Sequence, residues 1–98
     1  MPGKVKKPLE WTSLAGRDLL SIEAHYAEYS QITAGRVLSA IKSSATILEY
    51  SPLIGVSGKR PGTRHEVISK YPFIIVYRVK PKTVQILRIL HQRRKYFN

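Results

Sequence analysis

Two stretches of the chain carry apolar residues at the spacing expected along one face of a helix. In residues 15–29, and again in residues 37–48, apolar positions recur in steps of three and four. Thr12 or Ser13 precedes the first stretch and can cap a helix, because a side-chain oxygen there accepts a hydrogen bond from a free backbone N–H. Only a few residues separate the two patterns, so the sequence predicts an antiparallel helical hairpin.

The start of the second helix is marked by conflicting signals. Ser30 or Thr33 can act as its cap. Gly35, however, is unfavourable inside a helix by up to about 1 kcal/mol relative to alanine. We therefore expect the second helix to begin after Gly35.

The pattern changes beyond residue 50. The segment "SPLIGVSGKRPGTR" holds two prolines and three glycines, which predicts a turn-rich connector. Three segments rich in β-branched and aromatic residues follow it: "GTRHEVI", "PFIIVYRV" and "TVQILRILH". They predict three strands joined by tight hairpins. The middle strand is apolar on both faces from Phe73 to Tyr77, as expected of a central strand that is covered on both sides.

One more strand is predicted before the helices, in "KVKKPLEW", where Pro8 suits an edge position. The order of elements is then β-α-α-β-β-β. This order predicts an α+β fold in which a two-helix antiparallel hairpin packs on one face of a small, mainly antiparallel sheet. A length of 98 residues favours a single domain over residues 1–98.

Composition argues against several kinds of site. The chain has no cysteine, so it can form neither a disulfide nor a thiolate metal site. His25, His65 and His91 are predicted on three separate elements, and we expect no metal or other cofactor. The longest unbroken apolar run is the five residues "FIIVY", and the first ten residues lack the apolar core of a signal peptide. We therefore expect no contact with a membrane and a cytoplasmic location.

Positive charge is concentrated in the second half of the chain. The formal net charge is +11. Residues 1–58 contain six Lys/Arg and five Asp/Glu, whereas residues 59–98 contain eleven Lys/Arg and one acid, Glu66. A field of this sign attracts nucleic acid, anionic lipid or an acidic protein.

The alternation of side chains along the predicted strands indicates on which face of its strand each of three arginines lies. Each of Arg64, Arg78 and Arg88 lies on one face of its strand. If those faces coincide on the side away from the helices, three arginines line one surface, and the basic residues after the last strand extend it. The predicted target-binding or anion-binding residues are Arg64, Arg78, Arg88, His91, Arg93, Arg94 and Lys95.

One catalytic chemistry is compatible with these residues. Metal-free RNA cleavage needs a base for the 2′-hydroxyl, an acid for the leaving oxygen, and cations that stabilise the charged phosphorane. Glu66 or His91 could supply the base and Tyr96 or His91 the acid, while the strand arginines would stabilise charge. All of these residue types are common on basic surfaces, so the composition alone is weak support. A plain nucleic-acid-binding module is a further alternative, but no strand is rich in aromatic residues for base stacking.

Three stretches of the chain together resemble the RelE/ParE superfamily of bacterial toxins: "LEWTSLAGRDLLSIEAHYAE", "SPLIGVSGKRPGTRHEVI" and "YPFIIVYRVKPKTVQILRILHQRRKY". The resemblance extends from about Leu9 to Tyr96. It implies the β-α-α-β-β-β fold predicted above, and a two-gene type II toxin-antitoxin module in the bacterial cytoplasm. The implied partner is a cognate antitoxin, acidic and partly disordered when free, that forms a hetero-oligomer with the toxin.

The resemblance leaves two targets open. RelE-like members cut messenger RNA on the ribosome, whereas ParE-like members act on DNA gyrase and cut nothing themselves. Nuclease members commonly place a basic residue in the middle strand, where this chain has Ile74, and a catalytic tyrosine or histidine after the last strand, near Gln92 and Arg93 here. Only His91 and Tyr96 remain as substitutes, and the ending "LHQRR" resembles that of ParE. The resemblance therefore favours a non-catalytic gyrase inhibitor that blocks replication, with a ribosome-dependent endoribonuclease as the alternative.

Overall fold

The computed structural model describes residues 6–94 and has the α+β fold predicted from the sequence. Two helices follow a first short strand, and four strands and a 3₁₀ turn follow the helices. The elements are β1 (Leu9–Trp11), α1 (Ser13–Ala27), α2 (Gln31–Tyr50), β2 (Val56–Ser57), β3 (Arg64–Val67), β4 (Phe73–Val79), β5 (Val84–His91) and a 3₁₀ turn (Gln92–Arg94). None of the helices in this part of the chain is long and apolar enough to cross a membrane.

Hydroxyl side chains cap both helices. The Oγ1 of Thr12 accepts a hydrogen bond from the backbone N–H three residues ahead at 3.1 Å, and the Oγ of Ser30 does the same for α2 at 3.2 Å. The prediction that α2 begins after Gly35 is wrong, because the helix starts at Gln31 and runs through the glycine. A capped extra turn of helix outweighs the unfavourable propensity of a single glycine.

The sheet has the strand order β1-β5-β4-β3-β2. β1 lies at one edge, as predicted, and pairs in parallel with β5, while all other pairs are antiparallel. β2 is an addition to the prediction, because the connector holds a two-residue strand that pairs with β3 through Val56 and Ser57. A strand of two residues has no alternation that could predict it, and the prolines and glycines around it predict turns instead.

The hydrophobic core lies between the helical hairpin and one face of the sheet, which we call the inner face. The alternation of β4 turns Phe73, Ile75 and Tyr77 toward this core. Ile74 and Val76 on the opposite face are also buried, as predicted for a strand that is covered on both sides. The prediction that the apolar face of α1 extends to Tyr29 is wrong. The helix ends at Ala27, and Tyr29 is 76% exposed. The other core residues include Ala15, Ile22, Val37, Ile41, Ala45, Leu48, Ile68, Val84, Ile86 and Ile89.

A β-bulge interrupts β5 at Leu87. The Cα of Tyr77 is paired with that of Ile86, but the Cα of Val76 is paired with that of Arg88, so Leu87 is one residue too many for the ladder. Beyond the bulge the alternation resumes with Ile89 on the inner face. The bulge therefore explains why apolar residues in "ILRIL" do not alternate regularly.

Where β1 ends, the side chains of Thr12, the cap of α1, and of Asp18 in α1 form hydrogen bonds with the backbone of β5. β1 pairs with β5 only as far as Ile86. The Oγ1 of Thr12 donates a hydrogen bond to the carbonyl of Leu87 at 3.0 Å, and the backbone N–H of Ile89 donates to Asp18 Oδ2 at 2.9 Å. These backbone groups at the edge of β5 thus have side chains as hydrogen-bond partners where no strand pairs with them.

Candidate functional site on the outer face of the sheet

The face of the sheet turned away from the helices, which we call the outer face, carries a cavity of about 310 Å³. We call it the outer pocket. Its lining combines aliphatic, hydroxyl and basic side chains from three strands, the connector and the start of α1. The lining residues are Thr12, Leu14, Lys59, Arg60, Thr63, His65, Val76, Arg78, Leu87 and Arg88.

The register of the strands places the pocket on the outer face. His65 and Arg88 are the cross-strand partners of Val76, one on each side. Because residues directly opposite each other share a face, these three positions form a row across the sheet. Arg78 lies two residues along β4 on the same face, and it is exposed.

Arg64 is not part of this row, which corrects the predicted surface of three arginines. It pairs with Tyr77 and therefore belongs to the inner face. Its Nη1 donates hydrogen bonds to the carbonyls of Gly55 at 2.6 Å and Leu53 at 3.3 Å. Alternation along one strand cannot reveal which face it turns inward, and a register change of one residue exchanges the faces.

The connector is held by Tyr77 as well as by Arg64. The hydroxyl of Tyr77 donates to the carbonyl of Pro52 at 2.7 Å and accepts from the backbone N–H of Gly55 at 3.0 Å. Burial raises the pKa of this phenol. The two side chains thus attach the connector to the sheet and fix where its later residues can lie.

A tight loop of the connector brings two basic residues to the pocket. Lys59 and Arg60 lie between Gly58 and Gly62, and both line the cavity. Gly62 has φ +79°, which favours glycine, and a Cβ on Gly58 would approach Thr63 Oγ1 to 2.5 Å. No role was predicted for these basic residues, although a Lys-Arg pair between two close glycines is a signal for an exposed basic turn.

Arg88 lies at the boundary of the pocket and is held by a carboxylate of α1. Its Nε donates to Asp18 Oδ2 at 2.8 Å and its Nη2 donates to Asp18 Oδ1 at 3.0 Å. This two-point hydrogen bond raises the pKa of Arg88 further. Among the lysines and arginines of the pocket, Arg88 is therefore the one whose charge is already balanced by an ion pair within residues 6–94.

The remaining charge in the pocket is positive. The side chains of Lys59, Arg60 and Arg78 have no hydrogen bond or ion pair within residues 6–94. All six Asp and Glu residues of the chain lie within that range, and none of them lines the pocket. Three cations around a pocket that no carboxylate lines attract anions.

The candidate nuclease residues lie elsewhere and are not brought together. Glu66 pairs with Ile75 and His91 pairs with Phe73, so both belong to the inner face of the sheet. β4 separates them, and strand spacing and rise put their Cα atoms roughly 12 Å apart. Burial raises the pKa of Glu66.

His91 belongs to a second, aromatic cleft beside α1. Its ring contacts that of Phe73 edge to face at 5.6 Å, and its Nδ1 accepts a hydrogen bond from the backbone N–H of Arg93 at 3.1 Å. The side chain of Arg93 is exposed, and Arg94 ends the 3₁₀ turn. The predicted residues Lys95 and Tyr96 lie outside the described residues. Within 6–94, no group of three or more His, Asp or Glu residues could hold a metal ion.

Comparison with known proteins gives a consistent result. The family model described as "ParE toxin of type II toxin-antitoxin system, parDE" matches residues 9–96. The Y4kP protein of Sinorhizobium fredii is 31% identical over 91 residues, which cover 93% of this chain and 94% of that protein. A structure of the chromosomal ParDE TA system from P. aeruginosa has a TM-score of 0.79 and 30% identity, covering 90% of this chain and 98% of the other.

More distant structures share the fold. The toxin-antitoxin complex RelBE2 from Mycobacterium tuberculosis matches with a TM-score of 0.67 and 25% identity, covering 89% of this chain and 92% of the other. The E. coli DinJ-YafQ toxin-antitoxin complex matches with a TM-score of 0.63, but at 14% identity this likeness concerns the fold alone.

Proposed function

The chain belongs to the ParE toxin family of type II toxin-antitoxin systems, and from this premise we propose that it inhibits DNA gyrase and is neutralised by direct binding of its cognate antitoxin. The toxin acts without catalysis of its own and interferes with DNA replication. The site of contact with gyrase is the outer pocket together with Lys59, Arg60 and Arg78, which we call its basic rim.

The observation that carries the choice of gyrase is the apolar outer face of β4. Ile74 and Val76 are 4% and 5% exposed, and the sequence resemblance aligns Ile74 with the position where nuclease members commonly have a basic residue. A phosphorane needs a cation close to the reacting phosphate, and an aliphatic side chain supplies none. The lack of a cation at this position supports a toxin that does not cleave RNA.

The basic rim supports a contact role. Lys59, Arg60 and Arg78 line the pocket, and no carboxylate does. A positive surface of this kind accelerates the encounter with an acidic partner or with the DNA that gyrase holds. Inhibition then results from occupying a surface of the enzyme, which requires no bond to be made or broken by the toxin.

A supercoiling assay with purified gyrase tests the proposal. We expect the toxin to inhibit supercoiling or to increase the fraction of cleaved plasmid that is trapped by denaturation. The double variant Arg60→Gln/Arg78→Gln should lose most of this effect, whereas Arg17→Gln/Arg36→Gln, with the same loss of charge on the helices, should retain it. Absence of both inhibition and trapped cleavage at a large excess of toxin would reject gyrase as the target.

The antitoxin partner is supported by the kind of structures that resemble this chain, since the related P. aeruginosa and M. tuberculosis structures are toxin-antitoxin systems. The chain also exposes apolar surface that a partner could cover. At the end of α2 and in the connector, five large apolar side chains are 45–68% exposed: Ile47, Tyr50, Leu53, Ile54 and Val56. The antitoxin and toxin then form a hetero-oligomer, and co-purification with the product of the adjacent gene tests this partnership.

A ribosome-dependent endoribonuclease is the second candidate, and one observation favours it. His65 lies in the outer pocket with Arg78, and an imidazole beside cations is the arrangement that metal-free RNA cleavage requires. This candidate predicts cuts in messenger RNA during translation that disappear in His65→Ala or, if the aromatic cleft is the site, in His91→Ala. Transcripts that remain intact during growth arrest would exclude it.

A further inference from the structure

The surface of the helical hairpin that is turned away from the sheet differs in charge from the rest of the chain. Residues 13–50 contain three Lys/Arg and four Asp/Glu, a formal balance of −1, whereas the whole chain carries +11. Large apolar side chains are exposed here: Leu20, Tyr29 and Ile32 are 66%, 76% and 69% exposed. We call this surface the hairpin face. Exposed apolar side chains without a strong net charge around them are typical of a surface that another protein covers.

The charged side chains of the hairpin face can complement a second copy of the same face. Glu23 on α1 and Arg36 on α2 are exposed, and neither forms an ion pair within residues 6–94. Glu23 lies four residues before the end of α1, and Arg36 lies five residues after the start of α2. At 1.5 Å per residue, both are roughly 6–8 Å from the connection between the helices. If a two-fold axis places α1 of one copy on α2 of the other, this acid and this base meet twice.

The hairpin face is large enough for a specific interface. α1 has 15 residues and α2 has 20, so the helices are roughly 22 and 30 Å long. Each helix is about 10 Å wide with its side chains, and the two lie side by side. Their shared length therefore gives a flat area of roughly 450 Å² per copy, before the relief of the side chains is counted. Specific interfaces begin at about 600 Å² of accessible surface per copy.

Charge favours a second copy over an acidic protein or a nucleic acid as the occupant of this face. Either of those would be attracted by the positive field of residues 59–98, which the hairpin face lacks. In a dimer formed through the hairpins, the two sheets are the outermost of four layers. With layers spaced by roughly 10 Å, the two basic outer faces are about 30 Å apart. This separation exceeds the Debye length of about 8 Å at physiological salt, so their repulsion is screened.

We propose that the free toxin forms a two-fold dimer through the hairpin face, in which α1 of one copy packs on α2 of the other. Glu23 of each copy pairs with Arg36 of the other. Leu20 packs on the α2 surface of the other copy, and Tyr29 packs beside its Ile32. Both outer pockets remain open in this dimer, so the interface is independent of the gyrase contact proposed above.

An apolar substitution tests the location of the interface. Sedimentation equilibrium of the purified toxin should show a species with twice the mass of one chain. Leu20→Glu places a charge in the apolar part of the interface and should raise the Kd of the dimer by about tenfold or more. The control Leu53→Glu changes a leucine in the connector that is equally exposed, at 66%, and should change the Kd less than about twofold. Because both side chains are exposed, both variants should melt at the temperature of the wild type.

A charge exchange tests the pairing of the two copies. Arg36→Glu places acids opposite Glu23 in both halves of the interface and should raise the Kd of the dimer by about fivefold or more. Glu23→Arg should raise it by a similar factor. The double variant Glu23→Arg/Arg36→Glu has the net charge of the wild type and restores opposite charges, so its Kd should return to within about twofold of the wild-type value. A general effect of charge on solubility or folding would not reverse in this way.

Three results would overturn the proposal. The first is a toxin that stays monomeric at concentrations up to about 0.2 mM, with the α1 and α2 amides protected from hydrogen exchange only by antitoxin or by gyrase. The second is a dimer that Leu53→Glu weakens as much as Leu20→Glu does. The third is a double charge variant that dimerises no better than either single variant. These measurements use the toxin alone, so a toxin that fails to inhibit gyrase rejects the proposed function and leaves the dimer result unaffected.

Discussion

The two faces of the sheet are built from the same strands but have different tasks. On the inner face, Phe73, Ile75 and Tyr77 of β4 pack against the helices in a continuous core. On the outer face, Val76 is also buried, at 5% exposed, but it lines the outer pocket, and Arg78 is exposed. Since side chains alternate along a strand, one short segment supplies both surfaces.

The difference between the faces indicates where stability and function reside. A face that excludes water contributes most of the free energy of folding, because apolar burial is the main favourable term. A face that keeps unpaired cations contributes little to folding but retains groups that can attract a partner. Substitutions of buried inner-face side chains should therefore change stability, and substitutions of the outer-face cations should change binding.

The largest expected effect is the loss of a core side chain on the inner face. Ile75 is fully buried, so Ile75→Ala should lower the free energy of unfolding by about 2–5 kcal/mol through lost packing and a cavity. The matched change Val67→Ala, at a side chain on the outer face that is 53% exposed, should lower it by about 1 kcal/mol or less. Urea denaturation of both variants measures the difference, and equal losses would contradict the division between the faces.

The next effect concerns the carboxylate that joins α1 to the bulge of β5. Asp18→Ala removes two hydrogen bonds to Arg88 and one to the backbone of Ile89. We expect the free energy of unfolding to fall by about 2 kcal/mol, since charged hydrogen-bond partners are left unpaired. Glu23→Ala, at an exposed position of the same helix, is the control and should stay within about 0.5 kcal/mol of the wild type. A similar loss in both variants would mean that the Asp18 contacts do not stabilise the bulge.

A smaller, pH-dependent effect is expected at Glu66. Burial raises its pKa in the folded state above the usual value of 4.5. The charged form is therefore disfavoured by folding, so this carboxylate destabilises the protein at neutral pH and ceases to do so below pH 4.5. Glu66→Gln should have a higher melting temperature than the wild type at pH 7, with the difference vanishing as the pH falls below the unfolded value. A difference that persists unchanged in acid would point to packing instead of charge.

The smallest effect on folding is expected for Arg78. Its side chain has no hydrogen bond or ion pair with any other residue in the range 6–94, so Arg78→Gln should keep the free energy of unfolding within about 0.5 kcal/mol of the wild type. Combined with the loss of gyrase inhibition expected for the double variant Arg60→Gln/Arg78→Gln, this would separate function from stability on the outer face. A loss of more than about 1 kcal/mol would show that Arg78 contributes to the stability of the fold.

Periodicity and capping residues were sufficient to predict most of the fold. The two helices, the edge position of β1 and the three later strands all appear in the structure. These features depend on local physics, because helix and strand periods and caps are read within a few residues. The start of α2 at Gln31 and the two-residue strand β2 were missed, since a single cap competed with Gly35 and a strand that short has no period.

The sequence by itself determined the order of elements, the positive charge of the second half and the resemblance to a toxin superfamily. Only the tertiary structure decided which residues share a surface. It turned Arg64 inward to hold the connector, placed His65 on the outer face instead, and brought Lys59 and Arg60 beside Arg78. The reason is that strand register and the bulge at Leu87 are set by packing between distant segments. No local pattern contains that information.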